Sequence, residues 1–437
     1  MHPLARASNE QLPDRIYRLL SEKGRQIYFP SAGILGQSAE ARGRRINATI
    51  GIALEDDGSP MHLPGIDALF NIDARDAFPY APSYGKPALR DQWLTLLRSK
   101  NPHLHHIELS RPVVTNALTH ALSVAGTLLL DPGDQLIVSD LFWGNYRLIF
   151  EHGCGAQLKT FETFAGEGFH VGALRDALME GPPGKRVLLL NFPNNPTGYT
   201  CTEREAQSIV DVCVEAARSG RELAVIVDDA YFGLVYEDGI MRESIFGRLA
   251  DAHPGILAVK VDGATKEDFA WGFRVGFLTY GFHGATTSAL TALADKTAGL
   301  VRGSISNASH LSQSLLLAAY ENESFAQWKL EKYDALKARY DEVRRIFTEC
   351  PHYRDSFIPL PFNSGYFLCV RPTKAAPEAV RRILLDTYDT GVIATGDLIR
   401  IAFSSTPHQH IATLFENVHH ACQQAQSSGA VSAPDEK

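Results

Sequence analysis

Several residues in the middle of the chain have side chains that could act together on one organic cofactor. Asn195, Asp228, Tyr231 and Lys266 follow short apolar segments, and Arg274 opens the next such segment, eight residues after Lys266. Ligands of open α/β sheets lie at the carboxyl ends of the strands. We therefore expect these side chains to meet in one crevice.

The residue types fit the binding of pyridoxal 5'-phosphate. A lysine such as Lys266 can form a Schiff base with an aldehyde, and burial or neighbouring cations lower its pKa. The planar guanidinium of Arg274 suits a phosphate. A buried Asp228 would keep a pyridine nitrogen protonated, and Asn195 and Tyr231 could hydrogen-bond a ring hydroxyl. This cofactor is held by a lysine Schiff base with a charged partner at its pyridine nitrogen.

Apolar segments in this region predict the strands that position the site. They alternate with helical patterns between about residues 110 and 310, which favours an α/β fold with a mainly parallel sheet covered by helices on both faces. A helix that includes Ala117 is predicted to end at Pro132 and Gly133. The predicted strands are 136–140, 186–192, 223–229, 256–263 and 274–281.

The pattern changes beyond residue 310 to a long amphipathic helix followed by short strand-like segments. This change predicts a smaller α+β domain over 311–425 after a large domain over 61–310. Residues 1–60 are expected to form an N-terminal arm and part of the small domain. The polar segment 426–437 is predicted to be a disordered tail.

Composition excludes several classes of function. The 437 residues carry 42 Lys and Arg against 50 Asp and Glu, a net charge of -8. Nucleic-acid binding needs a basic surface, so we expect none. No apolar segment approaches the roughly 20 residues that span a bilayer. Six scattered cysteines and the lack of a secretory signal favour the cytoplasm, and no histidine or cysteine spacing predicts a metal site.

Motifs between about residues 44 and 405 resemble those of fold-type-I pyridoxal-phosphate enzymes, specifically class I aminotransferases of the aspartate and aromatic group. In chain order they are INATIGIALEDDGSP, YAPSYGKPALR, LFWGNY, PNNPTG, DDAY, Lys266 with Arg274, and LIRIAF. Each is weak alone, but their order and spacing together are specific. The resemblance implies a seven-stranded, mostly parallel sheet, a homodimer with shared active sites, and transamination between an L-amino acid and a 2-oxo acid with ping-pong kinetics.

The resemblance also implies roles for the residues that would hold the cofactor ring. Lys266 would form the Schiff base and move the proton as general base and acid. Asp228 would pair with the pyridine nitrogen, and Asn195 and Tyr231 with the ring hydroxyl. Trp143 would stack on the ring, and it would border the substrate together with Asn195.

The phosphate is expected at the first turn of the helix that begins near Ala117, Leu118 and Thr119, where free N–H groups favour an anion. The resemblance adds Arg274 to this site, and Tyr80 from the neighbouring subunit.

Three further residues are implied to bind the substrate. Arg400 would pair with the α-carboxylate, and the segment around Gly51 would close over it. Arg302 would reach the distal carboxylate from the partner subunit, which favours aspartate and glutamate type substrates. Aromatic amino acids stay open, because aromatic-accepting members can retain this arginine.

Two positions depart from the family pattern. Gly263 replaces a serine that contacts the phosphate, and Thr265 is a possible substitute. Tyr146 replaces a histidine that supports the aspartate of the ring nitrogen. A lyase or other Cα or Cβ chemistry on the same fold stays an alternative, and a non-catalytic binding protein is a second one.

Overall fold

The computed structural model describes residues 1–31 and 33–427. The segment that precedes the central sheet consists of short helices, one short strand and a longer helix that begins at a proline, where a missing N–H costs no hydrogen bond. These elements are α1 (Pro3–Glu10), α2 (Asp14–Tyr17), α3 (Glu22–Gln26), α4 (Ile34–Glu40), β1 (Ile46–Asn47), α5 (Ala74–Ala77) and α6 (Pro87–Lys100).

Seven strands within the described residues form the central sheet, in the spatial order β2-β10-β9-β8-β7-β3-β4. All neighbours pair in parallel except β10, which is antiparallel to both β2 and β9. β5 and β6 form a separate hairpin. The strands are β2 (Val113–Asn116), β3 (Gln135–Ser139), β4 (Gln157–Phe161), β5 (Phe164–Ala165), β6 (Gly168–Phe169), β7 (Lys185–Asn191), β8 (Glu222–Asp228), β9 (Ile256–Asp262) and β10 (Val275–Gly281).

Both faces of this sheet are buried, because alternate side chains of a strand point to opposite faces. In β7, Val187 and Leu189 belong to one apolar cluster, which also contains Ala121 of helix α7, whereas Leu188 and Leu190 belong to another. The helices of this region are α7 (Ala117–Leu129), a π-helix (Arg147–Cys154), α8 (Val171–Met179), α9 (Glu203–Arg218), α10 (Ile245–Leu249), α11 (Ala264–Glu267), α12 (Thr287–Ser304) and α13 (His310–Tyr320).

The C-terminal region contains a second sheet, with antiparallel strands in the order β11-β12-β15-β14. The N-terminal strand β1 pairs in parallel with β13, so the start of the chain packs with its end. The elements are α14 (Phe325–Glu349), β11 (Phe357–Pro359), β12 (Phe367–Pro372), α15 (Pro377–Thr387), β13 (Thr390–Gly391), β14 (Ile393–Thr395), β15 (Leu398–Ala402) and α16 (Ile411–Ser427).

The predicted mostly parallel seven-stranded sheet is confirmed, and the five predicted strands lie within one residue of β3, β7, β8, β9 and β10. Helix α16 continues to Ser427, two residues into the predicted tail, and residues 428–437 lie outside the described residues. None of the described helices combines the length and apolarity needed to cross a bilayer.

Candidate active site

A cavity of about 290 Å³ lies at the carboxyl ends of β7, β8 and β9. Its walls come from the central sheet, the start of α7, the C-terminal sheet and the N-terminal segment. It is lined by most of the site residues that the sequence predicts, namely Gly51, Leu118, Thr119, Trp143, Asn195, Asp228, Tyr231, Lys266 and Arg400.

Four predicted residues do not line the cavity in the single chain. Ala117 is buried at the first position of α7, with its backbone at φ +60°. Arg274 follows a short 3-10 turn and still acts on the site, because its charge lowers the pKa of Lys266. Tyr80 is 89% exposed, and Arg302 near the end of α12 donates a 2.8 Å hydrogen bond to Ser306 Oγ.

Lys266 enters the cavity from the short helix α11, which follows β9 directly. Its Nζ lies 4.6 Å from the centre of the Tyr231 ring, and no hydrogen bond or ion pair joins it to another described residue. Burial lowers the pKa of Lys266 to about 8; the charge of Asp228 opposes this effect and that of Arg274 adds to it. Near neutral pH the amine therefore deprotonates far more readily than an ordinary lysine, which favours attack on an aldehyde.

Asp228 is the last residue of β8, and its carboxylate faces the cavity from a fully buried position. The Tyr146 hydroxyl donates a 2.6 Å hydrogen bond to Oδ2, and the Ala230 N–H donates one of 3.1 Å to Oδ1. Burial raises the pKa of Asp228, and the Tyr146 hydrogen bond partly opposes the rise. The tyrosine that replaces the family histidine thus supplies a donor to the same carboxylate.

In the cavity, Asn195 lies between Tyr231 and Arg400 and contacts both side chains. The Asn195 amide lies 3.4 Å from the Tyr231 hydroxyl and accepts a 3.4 Å hydrogen bond from Arg400 Nη1. Arg400 is 4% exposed, its Nη2 donates to the Thr49 carbonyl at 3.1 Å, and its Nε has no partner among the described residues. A buried guanidinium with an unused donor is suited to a carboxylate ligand.

The packing around Gly263 explains why glycine stands where the family has serine. A Cβ at this position would lie 2.6 Å from the Val275 carbonyl oxygen and 2.7 Å from the Gly276 Cα, which leaves no room for a side chain. The Thr265 hydroxyl is buried without a hydrogen-bond partner among the described residues, and Thr265 does not line the cavity. Close packing of residue 263 against β10 therefore excludes a serine here, and Thr265 does not supply a hydroxyl to the cavity in its place.

Sequence reasoning missed several residues of the cavity. Asn191, the last residue of β7, lines it and accepts a 2.9 Å hydrogen bond from the Asn195 N–H. A polar residue at the end of an apolar strand was the available signal for Asn191. Ile34 and Leu35 of α4 add an apolar wall, and their segment carries no motif that could have indicated this role.

These observations fit pyridoxal 5'-phosphate. The cavity joins an unpaired lysine of lowered pKa, a buried carboxylate and a buried guanidinium with a free donor. The first turn of α7 adds N–H groups that suit a phosphate. Among the described residues, no group of three or more His, Cys, Asp or Glu side chains is arranged to hold a metal ion.

Comparison with known proteins agrees with this chemistry. The sequence model of the family "Aminotransferase class I and II" matches residues 64–418. The arginine–pyruvate transaminase of Pseudomonas aeruginosa is 24% identical over 349 residues, 78% of either chain. An aspartate aminotransferase of Geobacillus stearothermophilus is 24% identical over 382 residues, 85% of this chain and 90% of that protein. A crystal structure of an aminotransferase from Anaerococcus prevotii superimposes with a TM-score of 0.80 at 23% identity, over 92% of this chain and 98% of that one.

The family match spans most of the chain, and the relatives named above are transaminases. The lyase and the binding-protein alternatives find no comparable support. The protein belongs to the class I and II aminotransferases, fold-type-I enzymes that use pyridoxal 5'-phosphate to transfer an amino group between an amino acid and a 2-oxo acid.

Proposed function

We propose that Lys266 is the residue that binds the cofactor and moves the substrate proton. Bound pyridoxal 5'-phosphate supplies an aldehyde and a pyridine ring that acts as an electron sink. The support for this proposal is the Lys266 amine, which lies unpaired in the cavity with a pKa of about 8. If the substrate Cα lies beside it in this cavity, the amine would accept a proton as a base and return it as an acid.

The remaining residues would hold ring and phosphate in place. Asp228, with the Tyr146 hydrogen bond at its back, would bind the ring nitrogen, and Asn195 and Tyr231 would bind the ring hydroxyl. Trp143 would cover one ring face. The first turn of α7, formed by Ala117, Leu118 and Thr119, would bind the phosphate together with Arg274 and with Tyr80 of a second copy.

Arg400 is proposed to bind the substrate α-carboxylate, with Asn195 beside it and the Gly51 segment above. A charged hydrogen-bonded pair of this kind contributes about 1.5–3 kcal/mol. Both named relatives act on α-amino acids, although one is called an arginine and the other an aspartate transaminase. The names of these relatives therefore do not identify the substrate side chain that this cavity binds.

Two substrate classes are supported by different observations. Ile34, Leu35 and Trp143 line the cavity as an apolar wall, which favours aromatic amino acids. Arg302 favours dicarboxylates. The side-chain hydrogen bond that it makes to the described residues is the one to Ser306, which leaves guanidinium donors for a carboxylate bound between two copies. We place the aromatic class first, since its support lies within the cavity of one chain.

A homodimer is part of the proposal. Phe70, Phe78, Tyr80 and Leu311 are between 40% and 89% exposed. Helix α13, which carries Leu311, packs against the 3-10 helix Asp67–Phe70 and against α5, which Phe78 follows. An exposed apolar patch of this kind favours coverage by a partner chain.

The domain boundaries and the compartment are also proposals. Residues 61–310 would form the large domain and 311–425, with part of 1–60, the small one. Six free cysteines in the described residues support a reducing compartment such as the cytoplasm.

A donor panel tests the substrate proposal. The purified holoenzyme is mixed with tyrosine, phenylalanine, aspartate, glutamate or arginine, and conversion of the cofactor to its amine form is followed by absorbance. We expect the aromatic donors to react with the highest kcat/KM. A preference for aspartate that Arg302→Leu abolishes would reverse the order of the two classes, and release of ammonia with pyruvate would favour the lyase alternative.

A further inference from the structure

The short turn that carries Lys266 borders two separate cavities. Lys266 lines the cofactor cavity, whereas the next two residues, Glu267 and Asp268, line a second cavity of about 400 Å³. The walls of this second cavity also contain Lys100 of α6 and Lys329 of α14. The turn therefore lies between two cavities.

Ion pairs hold the turn on the side of the second cavity. Lys100 Nζ lies 2.6 Å from Glu267 Oε1, and Lys329 Nζ lies 3.0 Å from the same oxygen. Lys329 Nζ also lies 2.7 Å from Asp268 Oδ1, and the Tyr320 hydroxyl donates to Asp268 Oδ2 at 2.8 Å. Glu267 and Asp268 are 4% and 2% exposed. Burial strengthens each of these contacts relative to a pair on the surface.

The turn has little support of its own. Helix α11 spans only Ala264–Glu267, a single turn, and such a short helix is unstable without tertiary contacts. Gly263 before it supplies no side-chain cap, and Phe269 after it has a φ of +54°, which is unfavourable for a residue with a side chain. The contacts that fix this helix are the packing of Ala264 in an apolar cluster, a 3.3 Å hydrogen bond from the Tyr366 hydroxyl to the Lys266 carbonyl, and the ion pairs of Glu267 and Asp268. The ion pairs are the charged contacts among these.

We propose that Lys329 is a positioning residue of the transamination, which acts through Glu267 and Asp268 to keep the Lys266 amine in the cofactor cavity. This inference rests on the proposed function, since it takes Lys266 as the cofactor-binding lysine. Lys329 is the cation that binds both carboxylates, whereas Lys100 binds Glu267 alone. It lies in the first turns of α14, so it ties the Lys266 turn to the C-terminal part of the chain.

Loss of Lys329 would leave Asp268 with the Tyr320 hydroxyl as its remaining side-chain partner. Movement of the Asp268 carboxylate towards water in the second cavity would then lower the free energy, because an unpaired buried charge is unfavourable. The turn would move with it, and the Lys266 amine would become more hydrated. Hydration restores the charged form, so the pKa of Lys266 would rise from about 8 towards its ordinary value.

The first test uses the cofactor-free protein and needs no activity. Acetylation of Lys266 by acetic anhydride is followed against pH by peptide mass spectrometry in the wild type and in Lys329→Met. We expect the pH midpoint of Lys266 acetylation to lie near 8 in the wild type and about one pH unit higher in Lys329→Met. Lys329→Arg should restore the wild-type midpoint, because a guanidinium can bind both carboxylates.

Lys332→Met is the matched control. Lys332 lies on the same helix, and its Nζ makes a 2.7 Å ion pair with Glu55, away from the Lys266 turn. This variant should leave the midpoint unchanged. Equal midpoints in Lys329→Met and Lys332→Met would overturn the proposal. If Lys329→Met does not fold, Asp268→Asn replaces it, with the same rise expected and an unchanged midpoint counting against the proposal.

The second test uses the holoenzyme. Lys329→Met should lower kcat about 10-fold and leave KM within about twofold, because misplacement of a reacting group costs rate more than binding. An unchanged kcat would contradict the proposal. Failure of the proposed function is a separate result: borohydride would then fix the cofactor to a residue other than Lys266, whatever the Lys329 variants do.

Discussion

Two adjacent carboxylates, Asp228 and Asp229, show how the same residue type serves two regions of the molecule. Asp228 faces the cofactor cavity, where hydroxyl and N–H donors bind it. Asp229 points into a buried cluster, where it binds Lys260 and accepts a 2.6 Å hydrogen bond from Ser244. Asp262 Oδ2 lies 3.5 Å from Lys260 Nζ in the same cluster.

The two regions differ in whether their cations are paired. Burial lowers the pKa of Lys260, but Asp229 and Asp262 outweigh burial and leave that pKa raised. Lys266 has no such partner, and its pKa is lowered to about 8. Charges that are paired within the chain hold the fold together, whereas charges without a protein partner are available to a ligand. This difference predicts opposite effects for mutations in the two regions.

Lys266→Ala is expected to have the largest effect on catalysis. Loss of the amine removes both cofactor attachment and proton transfer, so transamination should fall by at least about 10⁴-fold. The free energy of unfolding of the cofactor-free protein should be unchanged or higher at pH 7, because a buried cation of lowered pKa costs stability there. Rate assays and urea unfolding measure the two effects. Turnover near that of the wild type would refute the role of Lys266.

Lys260→Met is expected to show the reverse pattern. Two buried carboxylates would lose their cation, which costs about 3–5 kcal/mol of unfolding free energy. The carboxyls can relieve this cost by binding protons, and Asp262 already has a pKa raised to about 6 by burial. The loss should therefore be smaller at pH 5 than at pH 8, because a group whose pKa is raised in the folded state loses its stabilising effect as pH rises. A loss below about 1 kcal/mol at pH 8 would contradict the assignment.

Arg400→Met is expected to weaken substrate binding. Loss of a charge-assisted pair of about 1.5–3 kcal/mol corresponds to a 10- to 150-fold rise in KM for the amino acid. Arg339→Met is the comparison, because Arg339 is equally buried but its guanidinium is bound by the Ser404 carbonyl and Asp56. That variant should lose stability and keep its KM. Similar KM changes in both variants would argue against Arg400 as the carboxylate site.

Tyr146→Phe is expected to have the smallest effect. Removal of one hydroxyl donor raises the pKa of Asp228 further. The contact between Asp228 and the ring nitrogen should weaken by about 1 kcal/mol, which corresponds to an increase of about fivefold in the cofactor Kd. Tyr280→Phe removes a comparable buried hydroxyl, which lies 2.6 Å from Thr297 Oγ1 outside the cavity. Its cofactor Kd should equal that of the wild type. A fivefold rise of the cofactor Kd in both variants would show that the effect comes from weaker packing of the protein and not from the contact of Tyr146 with Asp228.

The sequence predicted the interior of the fold better than its edges. Strands β7, β8 and β9 are continuous apolar segments because helices cover both faces, and this makes them easy to recognise. The edge strands β2 and β4 were not predicted. Strand β2 has four residues, and β4 (QLKTF), at the other edge of the sheet, has a single buried residue, Phe161, so neither has a long apolar pattern.

The candidate site was predicted where it depends on strand ends. Lys266, Asp228 and Asn195 follow apolar strands, so the fold brings them together. The apolar wall from α4 and the ion pairs of Lys329 depend on packing between distant segments. Single-sequence patterns carry no information on such contacts.

Reduction of the holoenzyme with borohydride, followed by peptide mass mapping, tests the central claim most directly. We expect one cofactor adduct, on Lys266, and none on Lys260, Lys100 or Lys329, whose ammonium groups are paired with carboxylates. An adduct on one of those lysines, or no adduct on any lysine, would contradict the claim that the unpaired lysine is the one that binds the cofactor.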